Sequence, residues 1–447
     1  MEPNGKKHLS QTHMIAMVFL LIILTGALLL MLPISNRSGE VTDFLSCLFT
    51  ATSATCVTGL IVFDTFTHWT LFGQLVILTM IQLGGLGFMT VGVFFSIYLR
   101  RKIGLRERGL LLESVNGMQI GGVVRLVKKI VKGTMLFEGI GAILLTIRFI
   151  PDMGVSRGIY NGVFHSISAF CNAGFDIMGR NEPYCSLVPY FDDPVVNLVI
   201  CFNIIVGGLG FIVWDDITNN KWHFHKYMLH TKIVLVTSVS LIVGGTVLIA
   251  IFERNNLMAD MSPIQIFWTS LFSSVTARTA GFNTIDTGAL TESSKLLTSI
   301  LMFVGGSPGS TAGGIKTTTL VVMLIYIWSN LRGKHSPDAF GRKITDDVIK
   351  KASLVFCLNL FMAVTAVVLI CAFQPLDGTD VIFEVASAIG TVGMTTGITR
   401  ALTAPSRIVI ILLMYAGRIG SMTFALSFTE RKHVPPVELP AGKITVG

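Results

Sequence analysis

Charge is what this sequence has least of. Charged residues fill 13% of its 447 positions, and apolar residues fill 51%. Soluble domains usually carry roughly 25% charge. The charges that are present cluster between long uncharged runs, which excludes a string of soluble domains and points to a multi-spanning membrane protein. The seven cysteines form no C-x-x-C pair. That removes the pattern of a disulfide framework or a zinc site. No basic tract is interleaved with aromatics, so nucleic acid is not an expected partner. There is no Rossmann fingerprint, and no cofactor is expected in this chain. The first apolar run, 14–32, ends without a small-x-small cleavage site and is expected to stay as a membrane helix.

Long apolar runs are present at 14–32, 71–99, 130–150, 195–214, 233–252, 296–328, 353–373 and 408–428. Within each successive pair lies a shorter segment: 44–54, 158–170, 264–275 and 381–389. A helix of that length covers about 18 Å, roughly half a bilayer. Each is followed by a Thr/Asn/Gly-rich stretch. Irregular backbone at membrane depth is tolerated only where it lines a cavity or is buried in protein. The expected fold is therefore an all-α integral membrane protein. Four span–pore helix–span repeats, 14–99, 130–214, 231–328 and 351–429, surround a pseudo-fourfold pore.

Glycines mark the same repeat. After the short helices come Gly59, Gly174, Gly281 and Gly393. A second cluster follows in each repeat, as in Gly84-Gly85-Leu86-Gly87 and Gly207-Gly208-Leu209-Gly210. Most of the 34 lysines and arginines fall in the loops on one side, including Arg106, Arg108, Arg342 and Lys343. Positive charge marks the cytoplasmic side, so both termini are expected there. The opposite loops carry Asp64, Asp176 and Asp286, an acidic outer vestibule that would concentrate cations.

A cation crossing lipid needs oxygen ligands in place of its water. Rings of backbone carbonyls supply them in potassium channels. A curved carbonyl strand often needs φ > 0, which glycine adopts freely. Four stretches fit: Val57-Thr58-Gly59, Asn172-Ala173-Gly174, Thr279-Ala280-Gly281 and Thr391-Val392-Gly393. A second feature interrupts the run 296–328 between positions 305 and 316. It contains Gly305, Gly306, Ser307, Pro308, Gly309, Gly313, Gly314 and Lys316. A continuous helix through these residues would be costly, so a broken span is expected. A P-loop fails by spacing, because Ile315 separates Gly314 from Lys316. The alternative is a glycine-rich helix contact. Lys316 and Arg418 are basic at membrane depth and should face a cavity or a partner. Arg278 is a conceivable partner for Glu384. His165 with Ser166 and Ser168 has no triad acid in pattern, and His223, His225 and His230 read as a solvated basic loop.

These stretches resemble those of the Trk/Ktr/HKT superfamily of potassium transporters, most closely its Ktr membrane subunits. The resemblance runs from the first span to Gly447. It implies potassium as the ion held at the four triplets, and Gly59 as the potassium-selective type. It implies that the loop 305–316 blocks the pore below the filter and moves to open it. Arg418 would hold that loop closed; a helix-packing role is the alternative. It further implies a homodimer in a bacterial plasma membrane, contacting lipid and seated on a cytosolic ring of nucleotide-binding regulatory subunits. The basic loops 100–129 and 331–351 are the available docking surface. No enzyme activity is expected. A carrier coupling potassium to sodium or protons is the second reading, and a membrane enzyme or receptor the third.

Overall fold

A computed structural model describes residues 11–87, 90, 123–180, 182–334, 336–421 and 423–424. The basic stretch 100–122, with Arg106 and Arg108, and the tail beyond 424 lie outside the described residues. Among the described residues, four helices are long and apolar enough to cross a membrane. They are α1 (Gln11–Met31), α5 (Val123–Met153), α9 (Leu229–Glu253) and α13 (Asp346–Phe373). Each leads, through a turn or loop, to a short helix. These are α2 (Phe44–Thr55), α6 (Val155–Phe170), α10 (Pro263–Thr276) and α14 (Gly378–Gly390).

Three of the short helices begin on a capping side chain, the usual remedy for unpaired first-turn N–H groups. Asp43 accepts from the Ser46 N–H, Asp377 from those of Thr379 and Asp380, and Ser262 forms a capping box with Gln265. Polarity is inverted relative to a soluble bundle. Val239, Val243, Val247 and Ile251 stand exposed along one face of α9, while Ser53, Ser168, Thr276 and Ser387 are buried on the short helices. An apolar rim around a polar interior suits a protein solvated by lipid.

The helices after the short ones depart from the sequence expectation. After the single turn α3 (Thr65–His68), α4 (Leu71–Leu86) stops at Gly87, and α15 (Ala404–Ile419) stops at Gly420. The run 195–214, expected as one span, is two helices, α7 (Pro194–Leu209) and α8 (Phe211–Asn220), bent by 94°. Gly87, Gly210 and Gly420 hold φ of 78°, 97° and 90°. That left-handed backbone stops an α-helix. The run 296–328 is divided between α11 (Glu292–Phe303) and α12 (Thr317–Leu331), as its composition led us to expect.

The largest buried cluster joins Ile23 of α1, Phe49 of α2, Ile77 of α4, Val385 of α14 and Ile410 of α15. The two ends of the chain therefore pack on each other. Arg407 Nη1 donates to Ser46 Oγ at 3.2 Å, and the Tyr415 hydroxyl to the Ala16 carbonyl at 2.6 Å. The bundle closes into a circle.

Candidate functional site

The four triplets sit at the carboxyl ends of the four short helices and share one backbone shape. Their first residues, Val57, Asn172, Thr279 and Thr391, have φ of 58°, 57°, 97° and 51°. Their glycines have φ of 94°, 66°, 84° and 96°. Non-glycine residues with φ > 0 are uncommon, so four at equivalent places are a shared constraint. Each middle N–H donates back to its short helix. The pairs are Thr58 to the Ser53 carbonyl at 2.8 Å, Ala173 to Ser168 at 2.8 Å, Ala280 to Thr276 at 2.9 Å and Val392 to Ser387 at 2.9 Å.

Side-chain hydroxyls of those same four residues fix the far end of each triplet. Ser53 Oγ accepts from the Gly59 N–H and Ser387 Oγ from the Gly393 N–H, both at 3.0 Å. Ser168 donates to the Phe175 carbonyl and Thr276 to the Phe282 carbonyl, both at 2.7 Å. These tethers were not expected from the sequence. A hydroxyl residue three or four positions before each triplet was the signal available.

The triplets form a closed ring. A Cβ at Gly59 would overlap the Ala173 carbonyl, one at Gly174 the Ala280 carbonyl, one at Gly281 the Val392 carbonyl, and one at Gly393 the Thr58 carbonyl. Each triplet thus leans its middle carbonyl on the glycine of the one before, and the fourth glycine meets the first triplet. Among the described residues, none of the twelve triplet carbonyls accepts a hydrogen bond. Their positions are fixed while their lone pairs stay uncommitted.

Residues 304–316 form a loop against one side of this ring. A bridge between Val304 and Ile315 draws its ends together. Three backbone bonds clamp it to the α7–α8 bend: Ser307 N–H to the Gly208 carbonyl at 3.0 Å, Thr311 N–H to Gly207 at 3.2 Å, and Phe211 N–H to Gly309 at 2.7 Å. A Cβ on Gly313 would overlap the Thr391 side chain. From the opposite flank the Arg418 guanidinium donates to the Thr311 and Gly84 carbonyls, and to the Gly85 carbonyl at 3.0 Å. Lys316 Nζ donates to the Ala312 carbonyl at 2.8 Å. Beyond the loop lies a cavity of about 570 Å³ that Lys316, Lys351 and Arg418 help to line.

On the other side of the ring is a vestibule of about 110 Å³. All four triplet glycines reach it, together with Asp176, Asp286, Tyr184 and Arg400. The Arg400 guanidinium lies 4.2 Å from the Tyr184 ring centre. Asp64 is buried just behind, accepting from the Tyr184 N–H at 2.9 Å. Burial pushes the Asp176 carboxyl up to about 7. The Met178 N–H opposes the rise, and the Asp64 charge adds to it.

Other candidates fall apart or find different partners. Glu384 does not pair with Arg278. Its carboxylate accepts from the Thr395 hydroxyl at 2.7 Å and from the Thr399 hydroxyl, on the segment leaving the fourth triplet. Arg278 instead reaches the Ser238 carbonyl and hydroxyl, at 3.4 and 3.3 Å. His165 Nδ1 meets the Asn161 carbonyl, while Ser166 donates to the Glu138 carbonyl and Ser168 to Phe175, so no nucleophile–base pair forms. Among the described residues there is no metal-binding group of three or more His, Cys, Asp or Glu.

Comparison with known proteins agrees with this architecture. The model of the TrkH family, described as cation transport protein, matches residues 7–434. The potassium/sodium uptake protein NtpJ of Enterococcus hirae is 41% identical over 96% of this chain and 94% of its own. The Ktr system potassium uptake protein B of Bacillus subtilis is 41% identical over 97% and 96%. The crystal structure of the potassium transporter TrkH from Vibrio parahaemolyticus superposes with a TM-score of 0.73. It covers 96% of this chain and 87% of its own, at 16% identity. The chain belongs to the TrkH family of membrane cation transporters, with close kin among the Ktr and NtpJ proteins, and it is not an enzyme.

Proposed function

We propose that this chain takes up potassium through the ring of triplets, which acts as a selectivity filter. The ring closure carries this reading: four strands lean on one another, and twelve carbonyls are left unbonded. A dehydrated potassium ion needs such oxygens, and a binding strength weak enough to let it leave. The chain then divides into repeats 14–99, 130–214, 231–328 and 351–429. The vestibule faces outward, both termini are cytoplasmic, and the membrane is the bacterial plasma membrane. The loop 305–316 is the gate, and Arg418 is its latch through the Thr311 carbonyl. The likeness to a protein named as part of a Ktr system supports a multi-component assembly. We read it as a homodimer in lipid, seated on a cytosolic ring that binds the regulatory nucleotide.

Purified protein in liposomes should take up radioactive rubidium, with potassium competing. Uptake no greater than in protein-free liposomes would overturn the reading. A second reading, potassium carried with sodium, draws on the Enterococcus relative's name as a potassium/sodium uptake protein. Reversal potentials in defined gradients separate the two. A pore follows the potassium gradient alone, and a coupled carrier shifts with sodium.

A further inference from the structure

Thr311 is where the loop touches the ring by hydrogen bonds. Its hydroxyl donates to the Phe170 carbonyl at 3.1 Å, at the end of α6. The same oxygen meets the Asn172 amide, also at 3.1 Å. Both residues are fully buried. The contact survives either orientation of the amide. In one, Nδ2 donates to the hydroxyl. In the other, Oδ1 takes the hydroxyl proton in place of the Phe170 carbonyl, and the nitrogen reaches the Ile204 and Ala169 carbonyls at 3.2 and 3.3 Å. Asn172 opens the second triplet, where the other repeats place Val57, Thr279 and Thr391. The hydroxyls of Thr279 and Thr391 have no hydrogen-bond partner among the described residues. The ring is therefore hydrogen-bonded to the loop through one triplet of four. Thr311 is also the residue whose carbonyl Arg418 grips and whose N–H is bound by Gly207.

The geometry points to the Thr311–Asn172 contact as a coupler that ties the ion affinity of the filter to the position of the loop. This rests on the gating reading. When the loop leaves its seat, Asn172 loses the Thr311 hydroxyl in either orientation of its amide. A buried polar group stripped of its partner must find another, so the backbone of the second triplet shifts. The coupling is reciprocal: an ion in the ring biases the loop as strongly as the loop biases the ion. Thr311 acts here as a positioning residue, because it reaches the ion only through the second triplet.

The test titrates potassium, with sodium as the reference ion, against thermal unfolding of the purified full chain in detergent. Thr311→Val removes the hydroxyl and keeps the shape; Thr311→Ser keeps the hydroxyl. We expect T311V to move the half-saturating potassium concentration by at least about fivefold, and T311S to match the parent. Asn172→Gly suits the left-handed backbone and removes the amide. The double variant T311V/N172G should shift no further than the larger single change, because both remove one contact. A parental titration in T311V, or additive shifts in the double variant, overturns the coupler. If T311V does not purify, Thr311→Ala carries the same criterion. The gating reading is checked separately, by rubidium flux after deletion of residues 307–313. Raised flux there with a parental T311V titration removes the coupler and leaves the gate. Parental flux removes the gate, and the coupler with it.

Discussion

At Gly59 two constraints meet: a left-handed backbone and the Ala173 carbonyl pressed where a side chain would begin. Serine there must either strain by about 1–2 kcal/mol or push the neighbouring strand aside. We predict that Gly59→Ser lowers the preference for potassium over sodium on the order of tenfold, measured as sodium competition against rubidium uptake. Unchanged competition would remove Gly59 from the filter. Glu384 supports the fourth strand through two threonine hydroxyls. Glu384→Ala leaves both without their acceptor and should destabilise the protein by about 1–3 kcal/mol. Glu384→Gln keeps one carbonyl oxygen and should cost less. Thermal unfolding of the two variants decides, and equal loss would indicate that the charge matters more than the bonds. We predict that Asp176 gives the vestibule a pH response. Its carboxyl is neutral below about 7 and charged above, while Asp64, Cys185, Asp286 and Arg400 surround it or share its vestibule. Rubidium half-saturation should fall as external pH rises from about 6 to about 8, because added negative charge gathers cations. Asp176→Asn should flatten that dependence. The stability sign is opposite. The unfolded carboxyl ionises near 3.8, so Asp176 makes the fold less stable as pH rises from there to about 7.

At the scale of the element, the proposed gate is the loop 304–316. Its glycines keep side chains out of the space under the ring, and backbone bonds from the α7–α8 bend hold it there. We predict that deleting residues 307–313 raises rubidium flux without the regulatory ring and blunts the response to nucleotide. A helix-contact role predicts poor assembly and little flux instead. This element was legible in the sequence, because five glycines and a proline cannot be hidden in a span. The bend at Gly210 was not legible. There the apolar run continues through Leu209, Phe211, Ile212 and Val213 without a proline, and hydropathy registers composition rather than φ. The short helices could be read because their lengths fall near half a bilayer and turn residues follow. Their hydroxyl tethers could not. A serine on an apolar helix looks the same whether it bonds its own helix or a strand beyond it. The conceivable Arg278–Glu384 pair does not form, for a related reason. Sequence supplies opposite charges near one ring, but their direction is set by which helix faces which. Arg278 points toward Ser238 of α9, and Glu384 toward its own outgoing strand.

At the scale of the whole molecule, charge sorts the two sides. A hairpin pairs Asp338–Ala339 with Arg342–Lys343, and by sequence Arg106 and Arg108 fall on the same basic side as Arg342 and Lys343. If that side docks a cytosolic ring, reversing the charge at Arg106 and Arg108 should reduce co-purified ring severalfold and leave the dimer intact. Equal recovery would place the contact elsewhere, with Arg342 and Lys343 the next pair to reverse. The circle that closes between the fourth glycine and the first triplet bears on how the protein is made. A ribosome delivers the repeats one after another. Until Gly393 has emerged and met Thr58, the nascent chain holds three strands with an open flank. A synthesis that stops before Gly393 therefore lacks the contact that closes the ring, and the carbonyls of the first triplet stay open to lipid or water.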